Sequence, residues 1–285
     1  MFRWLYILGA LVLAVFLGGV LYFSQREADV WHEASGRTDG RGMPAVFDGF
    51  VERWNRSVER ELLRELAGGE RKKSLLSVSR GDGDGRRLAE QERSVERIGR
   101  RLELKDHIRL LPLEEVPAEL EWRTGMEEPE VGDPRAVKGG LVRLWINTPF
   151  PGTLRAFGPG SETFFNYSAI DNVWLPLVGL HPETFRPIPG LADRWAVSAD
   201  GKTVFYHLDP EATYSDGRPV RAQDFLLNIC LRTSGFARDP FWTTLFRSTY
   251  DQITVYGDSV IALTLPSPRP LLPYMACVDF HPAHP

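Results

Sequence analysis

Few residues of this 285-residue chain are spaced for bond-making chemistry. The run Gly81-Asp82-Gly83-Asp84-Gly85 has the opening of a calcium loop. It lacks the oxygen ligands at alternating later positions and the bidentate glutamate that such a loop requires, so it reads as a flexible turn. The run Gly68-Gly69-Glu70-Arg71-Lys72-Lys73-Ser74 is not a phosphate loop, because the glycine before the lysine is missing and no strand runs into it. The six histidines are scattered. His281 and His284 approach each other only in a proline-rich tail, and two such residues do not complete a metal shell. Neither a Gly-x-Ser-x-Gly elbow nor a His-Glu-x-x-His helix occurs. The sequence therefore predicts no catalytic residue, no metal and no cofactor. Recognition remains, and it needs polar side chains and aromatics on loops rather than a titrating pair.

Composition narrows the class further. With 43% hydrophobic and 25% charged residues, the chain is ordinary for a globular protein and long enough for one or two domains. A formal net charge of −4 supplies no basic excess for nucleic acid. Two cysteines, Cys230 and Cys277, are too few for a disulfide scaffold; they are either two partly buried thiols or a single disulfide. The Asn-x-Ser sequons at Asn55 and Asn166 are expected by chance in a chain of this size.

Placement of the chain follows from its N-terminal end. Residues 4–23 carry no charge, and at about 1.5 Å per residue a helix of that length spans the roughly 30 Å hydrocarbon core. Trp4 and Tyr6 at one end and Tyr22 and Phe23 at the other suit the two interfaces. The run favours an uncleaved anchor over a cleaved signal, because it is long and shows no clear small-x-small site. Beyond it, Val51, Trp54, Val58, Leu62 and Leu66, and then Leu88, Val95, Ile98 and Leu102, recur at helical spacing among Arg and Glu. They predict two amphipathic helices with an exposed loop over residues 68–87. The pair is a spacer or, alternatively, a coiled-coil partner surface. Residues 110–134, with four prolines and several glutamates, read as an extended linker.

The richest stretch is residues 189–224. Pro189 and Gly190 turn the chain, and Leu191, Ala192 and Trp195 are apolar anchors. Ala199, Asp200 and Gly201 turn it again between two extended runs, which predicts a hairpin. In its second arm, Thr203 to Leu208, Val204, Tyr206 and Leu208 share one face while Phe205 and His207 share the other, and both faces are expected to be covered. After Ser215, Asp216 and Gly217, Pro219 leads into a helix from Arg221 to about Leu231. Arg221 supplies no capping oxygen, a loss of about 1 kcal/mol, while Asp224 places a negative charge in the first turn. Residues 252–256 and 260–265 alternate around Gly257 and Asp258, predicting a second hairpin with a two-residue turn.

In that order of turns, strands and helix start, the chain from Lys138-Gly-Gly-Leu-Val-Arg-Leu-Trp to Pro285 resembles the family 5 extracellular solute-binding proteins of ABC importers. Trp145, on the expected first strand, is expected in the core. Residues 161–180 resemble the place where relatives carry a ligand-facing loop followed by a helix. The resemblance thus makes Asn166, Tyr167 and Ser168 candidates for ligand contact, with Asn172 and Trp174 behind them. Trp174, Leu175, Leu177 and Val178 also suit a buried helical face. Family members hold a peptide between two lobes much as a neighbouring strand would, and they continue past the point matching Pro285, so a partial first lobe is expected here.

The fold expected is α/β, type II periplasmic-binding-protein-like, a partial first lobe with a mixed sheet and flanking helices, preceded by a transmembrane helix and a helical spacer. The divisions are residues 1–24 as anchor or uncleaved signal, 25–137 as helical spacer and linker, and 138–285 as partial solute-binding domain. The apolar run makes this a single-pass protein of the cell membrane, and the resemblance implies that its main domain lies in the periplasm or outside. Its partners would be a peptide or peptide-like ligand, an ABC permease and the membrane, with no nucleic acid. The alternative is an anchored interaction protein whose receptor-like domain has degenerated.

Overall fold

Alternating β-branched and aromatic residues build the centre of the molecule. The computed structural model describes residues 45–78, 84–133, 135–137, 139–141, 143, 151–154, 160–161, 163–234 and 240–284. The anchor expected at residues 4–23 and the core position expected for Trp145 lie outside them. Among the described residues, no helix is long and apolar enough to cross a membrane.

Two helices, α1 (Ala45–Val78) and α2 (Asp84–Glu103), precede strand β1 (Ile108–Leu111). Helix α3 (Phe164–Val173) follows, then β2 (Val178–Leu180) and β3 (Pro187–Pro189), an antiparallel pair. Next come β4 (Ala192–Val197), β5 (Thr203–Leu208), α4 (Ala222–Arg232), α5 (Pro240–Thr249), β6 (Gln252–Tyr256), β7 (Val260–Thr264) and α6 (Leu272–Met275). The main sheet has five strands in the order β1-β6-β7-β5-β4. β1 runs parallel to β6 and every other pairing is antiparallel, so the sheet is mixed and the fold is α/β. Residues Phe50–His284 form one compact unit.

Both sheet faces are covered, as the alternation predicts. Tyr206 is fully buried and donates its hydroxyl to the Pro273 carbonyl at 2.6 Å, tying β5 to α6. On the opposite face Ala196, Phe205, Tyr256, Val260 and Ala262 pack under Leu111, Val116, Leu120 and Trp122. The first hairpin turns at Gly201, whose φ of +67° suits glycine. The second differs from expectation: Tyr256 pairs with Val260, so the turn holds three residues, Gly257, Asp258 and Ser259. Gln223 Nε2 holds it by donating to Gly257 O at 3.1 Å and Asp258 Oδ1 at 2.5 Å.

Three further expectations are corrected. The loop expected over residues 68–87 is helical where described, since α1 runs to Val78 and α2 starts at Asp84. Glycine inside a helix costs about 1 kcal/mol relative to alanine. Here Gly69 lets the two helices meet, because a Cβ on it would stand 3.0 Å from Val95 and 3.2 Å from Gln91. The residues read as an extended linker begin with Leu110 and Leu111, which belong to sheet strand β1. Finally, Trp174, Leu175, Leu177 and Val178 do not form a helical face. The helix ends at Val173, Pro176 stops it from resuming, and Leu177 and Val178 are buried as the chain enters β2.

The helix pair docks on the sheet edge through specific groups. Asn55 of α1 accepts the His107 and Ile108 N–H groups at 3.0 and 2.8 Å, and donates to Ile108 O at 2.9 Å. It satisfies the outer edge of β1 as a neighbouring strand would. Arg101 of α2 pairs with Asp251 at 2.8 Å and reaches the carbonyls of Arg247 and Tyr250. Arg247 in turn binds Glu61 and Ser57 of α1. Trp54, Val58, Leu62 and Ile98, four of the stripe positions, are buried.

Candidate ligand-binding site

Helix α3 carries most of the candidate ligand residues. Thr163 starts it, accepting the Asn166 N–H on its hydroxyl at 3.2 Å and the Tyr167 N–H on its carbonyl at 3.1 Å. Asn166 is buried, and its carboxamide donates to the carbonyls of Thr153 at 2.9 Å and Ser161 at 2.8 Å. It fastens the preceding loop to the helix. Tyr167 is 46% exposed and Ser168 is half-buried. Asn172 stands in the last turn, and its side chain lies outside the described residues. Trp174, half-buried just after the helix, has its ring 5.4 Å from that of His281. Asn166, Tyr167, Ser168 and Asn172 thus stand in the helix itself, with Trp174 just after it.

The C-terminal segment meets the start of α4. Arg221 precedes that helix, and its N–H donates to Asp224 Oδ2 at 2.9 Å, so Asp224 performs half of a capping box. Burial pushes the Asp224 carboxyl above the usual range, against the pull of Arg221 and the Tyr214 hydroxyl. Tyr214 donates to Asp224 Oδ2 at 3.0 Å and lies 3.1 Å from Ala283 O, while Ala283 N–H donates to Asp224 O at 2.9 Å. His284 completes the cluster with Asp216 at 2.9 Å. These contacts lock residues 281–284 in place beside Trp174.

A separate cleft of about 450 Å³ opens at the β4 edge, with Arg123, Glu127, Glu128, Trp195, Val197 and Leu271 among its lining. None of the candidates on α3 lines it. The residues before it are held by His181, which is buried. Its Nδ1 accepts the N–H groups of Glu183 at 3.2 Å and Thr184 at 3.1 Å, and Nε2–H donates to Pro129 O at 3.0 Å. Thr184 and Arg186 bind Glu128 at 2.7 and 3.2 Å, and these bonds hold its carboxyl below the usual range. Sequence reasoning missed this cleft, because its walls come from four distant segments with no shared motif. Both cysteines are free thiols, Cys277 buried and Cys230 half-buried.

Comparison with known proteins finds one family model that matches part of the chain. Residues 186–284 match the model for bacterial extracellular solute-binding proteins, family 5 Middle, so the resemblance read in the sequence is borne out over that segment. It is a family of solute-binding proteins, and the matched segment holds β3 through α6. No curated protein matches the chain. Among solved structures, a periplasmic oligopeptide-binding protein from Borrelia burgdorferi is 22% identical with a TM-score of 0.39, covering 46% of this chain. The chain spans 29% of that protein. The murein tripeptide binding protein of Escherichia coli gives 21%, a TM-score of 0.39, and 47% and 29% coverage of the two chains. A Haemophilus influenzae protein in complex with the peptide RPPGFSPFR gives 19%, 0.35, and 41% and 25%.

Proposed function

We propose that this chain is part of the solute-binding subunit of an ABC importer, taking peptides or peptide-like ligands outside the cytoplasm. The observation that carries the reading is the family 5 match over residues 186–284, which coincides with β3 to β7 and their helices. The peptide class rests on the sequence resemblance to family 5 receptors, whose members hold a peptide between two lobes. Tyr167, Ser168 and Trp174 are the proposed contacts on this lobe, with Asn166 fixing the loop beside them and Asn172 in the same helix. A strand-like ligand needs hydrogen-bond partners and roomy aromatic walls, and Tyr167 and Trp174 supply both. In the proposed cycle, ligand closes a second lobe over this one by a hinge and the closed form docks on a permease. The apolar run at residues 4–23 holds the receptor to the cell membrane as a single-pass anchor.

The test is a thermal-shift screen of the protein expressed from its native coding sequence, against pools of di- to pentapeptides and against sugars and free amino acids. Stabilisation by peptide pools alone supports the reading. A folded protein that ignores every peptide pool contradicts it.

A further inference from the structure

The cleft at the β4 edge has the three elements that recognise a chain terminus: an open strand edge, a cation without a side-chain partner among the described residues, and an apolar wall. Segment 122–124 crosses the edge at one point, where Arg123 and Trp195 exchange both backbone bonds, at 2.8 and 2.9 Å. Residues two apart in a strand direct their backbone groups to the same side. The N–H and C=O of Val197 therefore face outward like those of Trp195, but the pairing with segment 122–124 is an isolated bridge that does not extend to Val197. A strand edge of this kind accepts an extended peptide.

The side chains around that edge are complementary to a carboxyl terminus. Arg123 is exposed, lines the cleft, and makes no side-chain hydrogen bond or ion pair among the described residues. Of the two carboxylates in the lining, Glu128 is engaged by Thr184 and Arg186, and Glu127 is exposed. One free cation beside one anion suits a ligand with a single carboxylate next to a backbone N–H, and disfavours a polyanion. Leu271, 44% exposed, and Val197, 39% exposed, face the cleft beside Leu272 and Pro273. Gly125 lets its segment pack closely against β3 and β4 beside the cleft: with φ at +65°, a Cβ there would stand 2.6 Å from Pro187 O and 2.7 Å from the Trp195 ring. A volume of about 450 Å³ lies within the range of small-ligand sites.

We propose that this cleft is a binding site distinct from α3 that takes the C-terminal end of an extended peptide, with the terminal carboxylate on Arg123 and the last aliphatic side chain against Leu271 and Pro273. The peptide backbone pairs with Val197. The inference stands on this geometry and does not depend on where an imported ligand binds.

The experiment titrates the full chain with acetyl-Ala-Ala-Leu as the free acid and as the C-terminal amide, followed by calorimetry and hydrogen exchange. The free acid is expected to bind and to protect residues 195–198 and 121–125. Amidation, or Arg123→Gln with the free acid, is expected to weaken binding by about tenfold or more, since a hydrogen bond to a charged group is worth about 1.5–3 kcal/mol and 1.4 kcal/mol is tenfold. The two losses should not add, because they remove the same contact. Arg123→Lys should retain part of the affinity. Equal binding of acid and amide, or no binding of either to the folded chain, overturns the proposal. Protection confined to residues 164–174 also overturns it while leaving the receptor reading intact. The amide arm uses the unaltered protein, so the proposal stays falsifiable if a variant misfolds.

Discussion

Replacing Asn55 by Ala tests whether the helix pair is an integral wall of the sheet-bearing unit or a spacer beside it. The carboxamide makes three hydrogen bonds to the edge of β1, two accepted from His107 and Ile108 N–H and one donated to Ile108 O. His107 and Ile108 are 4% and 1% exposed, so water cannot readily replace the lost partner. At about 1 kcal/mol net per bond the substitution costs about 3 kcal/mol, and more if the freed groups stay unsatisfied. For a unit of this size, about 2–4 °C of melting temperature accompany each kcal/mol, giving a fall of about 6–12 °C. Asn55→Asp keeps the acceptors and loses only the donor, so it should fall by about a third as much. Circular dichroism melts of the three proteins measure this, with urea midpoints as a check on the free energies. A fall under about 2 °C for Asn55→Ala would refute the reasoning, because the β1 edge would then be held by something other than this side chain.

Three more predictions concern His107, Gly190 and the two cysteines. Burial holds the His107 imidazole below its ordinary value of 6.5, so the unfolded chain takes up a proton that the folded one resists; stability is fully present above that pH and is lost as pH falls below it. The wild type should lose stability relative to His107→Gln between about pH 7 and about pH 5, whereas parallel curves by scanning calorimetry contradict this. A Cβ on Gly190 would stand 2.2 Å from Pro176 O, so Gly190→Ala should cost at least the roughly 1–3 kcal/mol of an overpacked core, read as a lower melting temperature. Burial pushes the Cys277 thiol up to about 11, so alkylation counted by mass spectrometry should modify it only after denaturation, with Cys230 reacting first.

What the sequence made legible was local. The first hairpin is readable because Thr203 to Leu208 alternate and Ala199-Asp200-Gly201 can only turn, and the helix after Pro219 starts one residue from its expected position. The reading failed where distant residues decide. Glycines at 68 and 69 signal a loop to any local rule, yet the approach of α2 at Val95 makes Gly69 a packing site. Leu110 and Leu111 sit among prolines and glutamates, and only pairing with Val255 and Tyr256 makes them strand. The candidate site was half legible. The family resemblance of residues 161–180 draws attention to Asn166 and Tyr167, while only the fold reveals that the Asn166 amide donates to Thr153 and Ser161. The β4-edge cleft has no sequence signal, because Arg123, Arg186, Trp195 and Leu271 meet only through β4 and α6.

The most direct test of the receptor assignment is equilibrium binding by the protein expressed from its native coding sequence, titrated calorimetrically with the short peptides that a screen selects. The account predicts saturable one-to-one binding, with the peptide recovered unhydrolysed and affinity reduced by substitution at Tyr167 or Trp174. A folded protein that binds no peptide, or that cleaves what it binds, contradicts it.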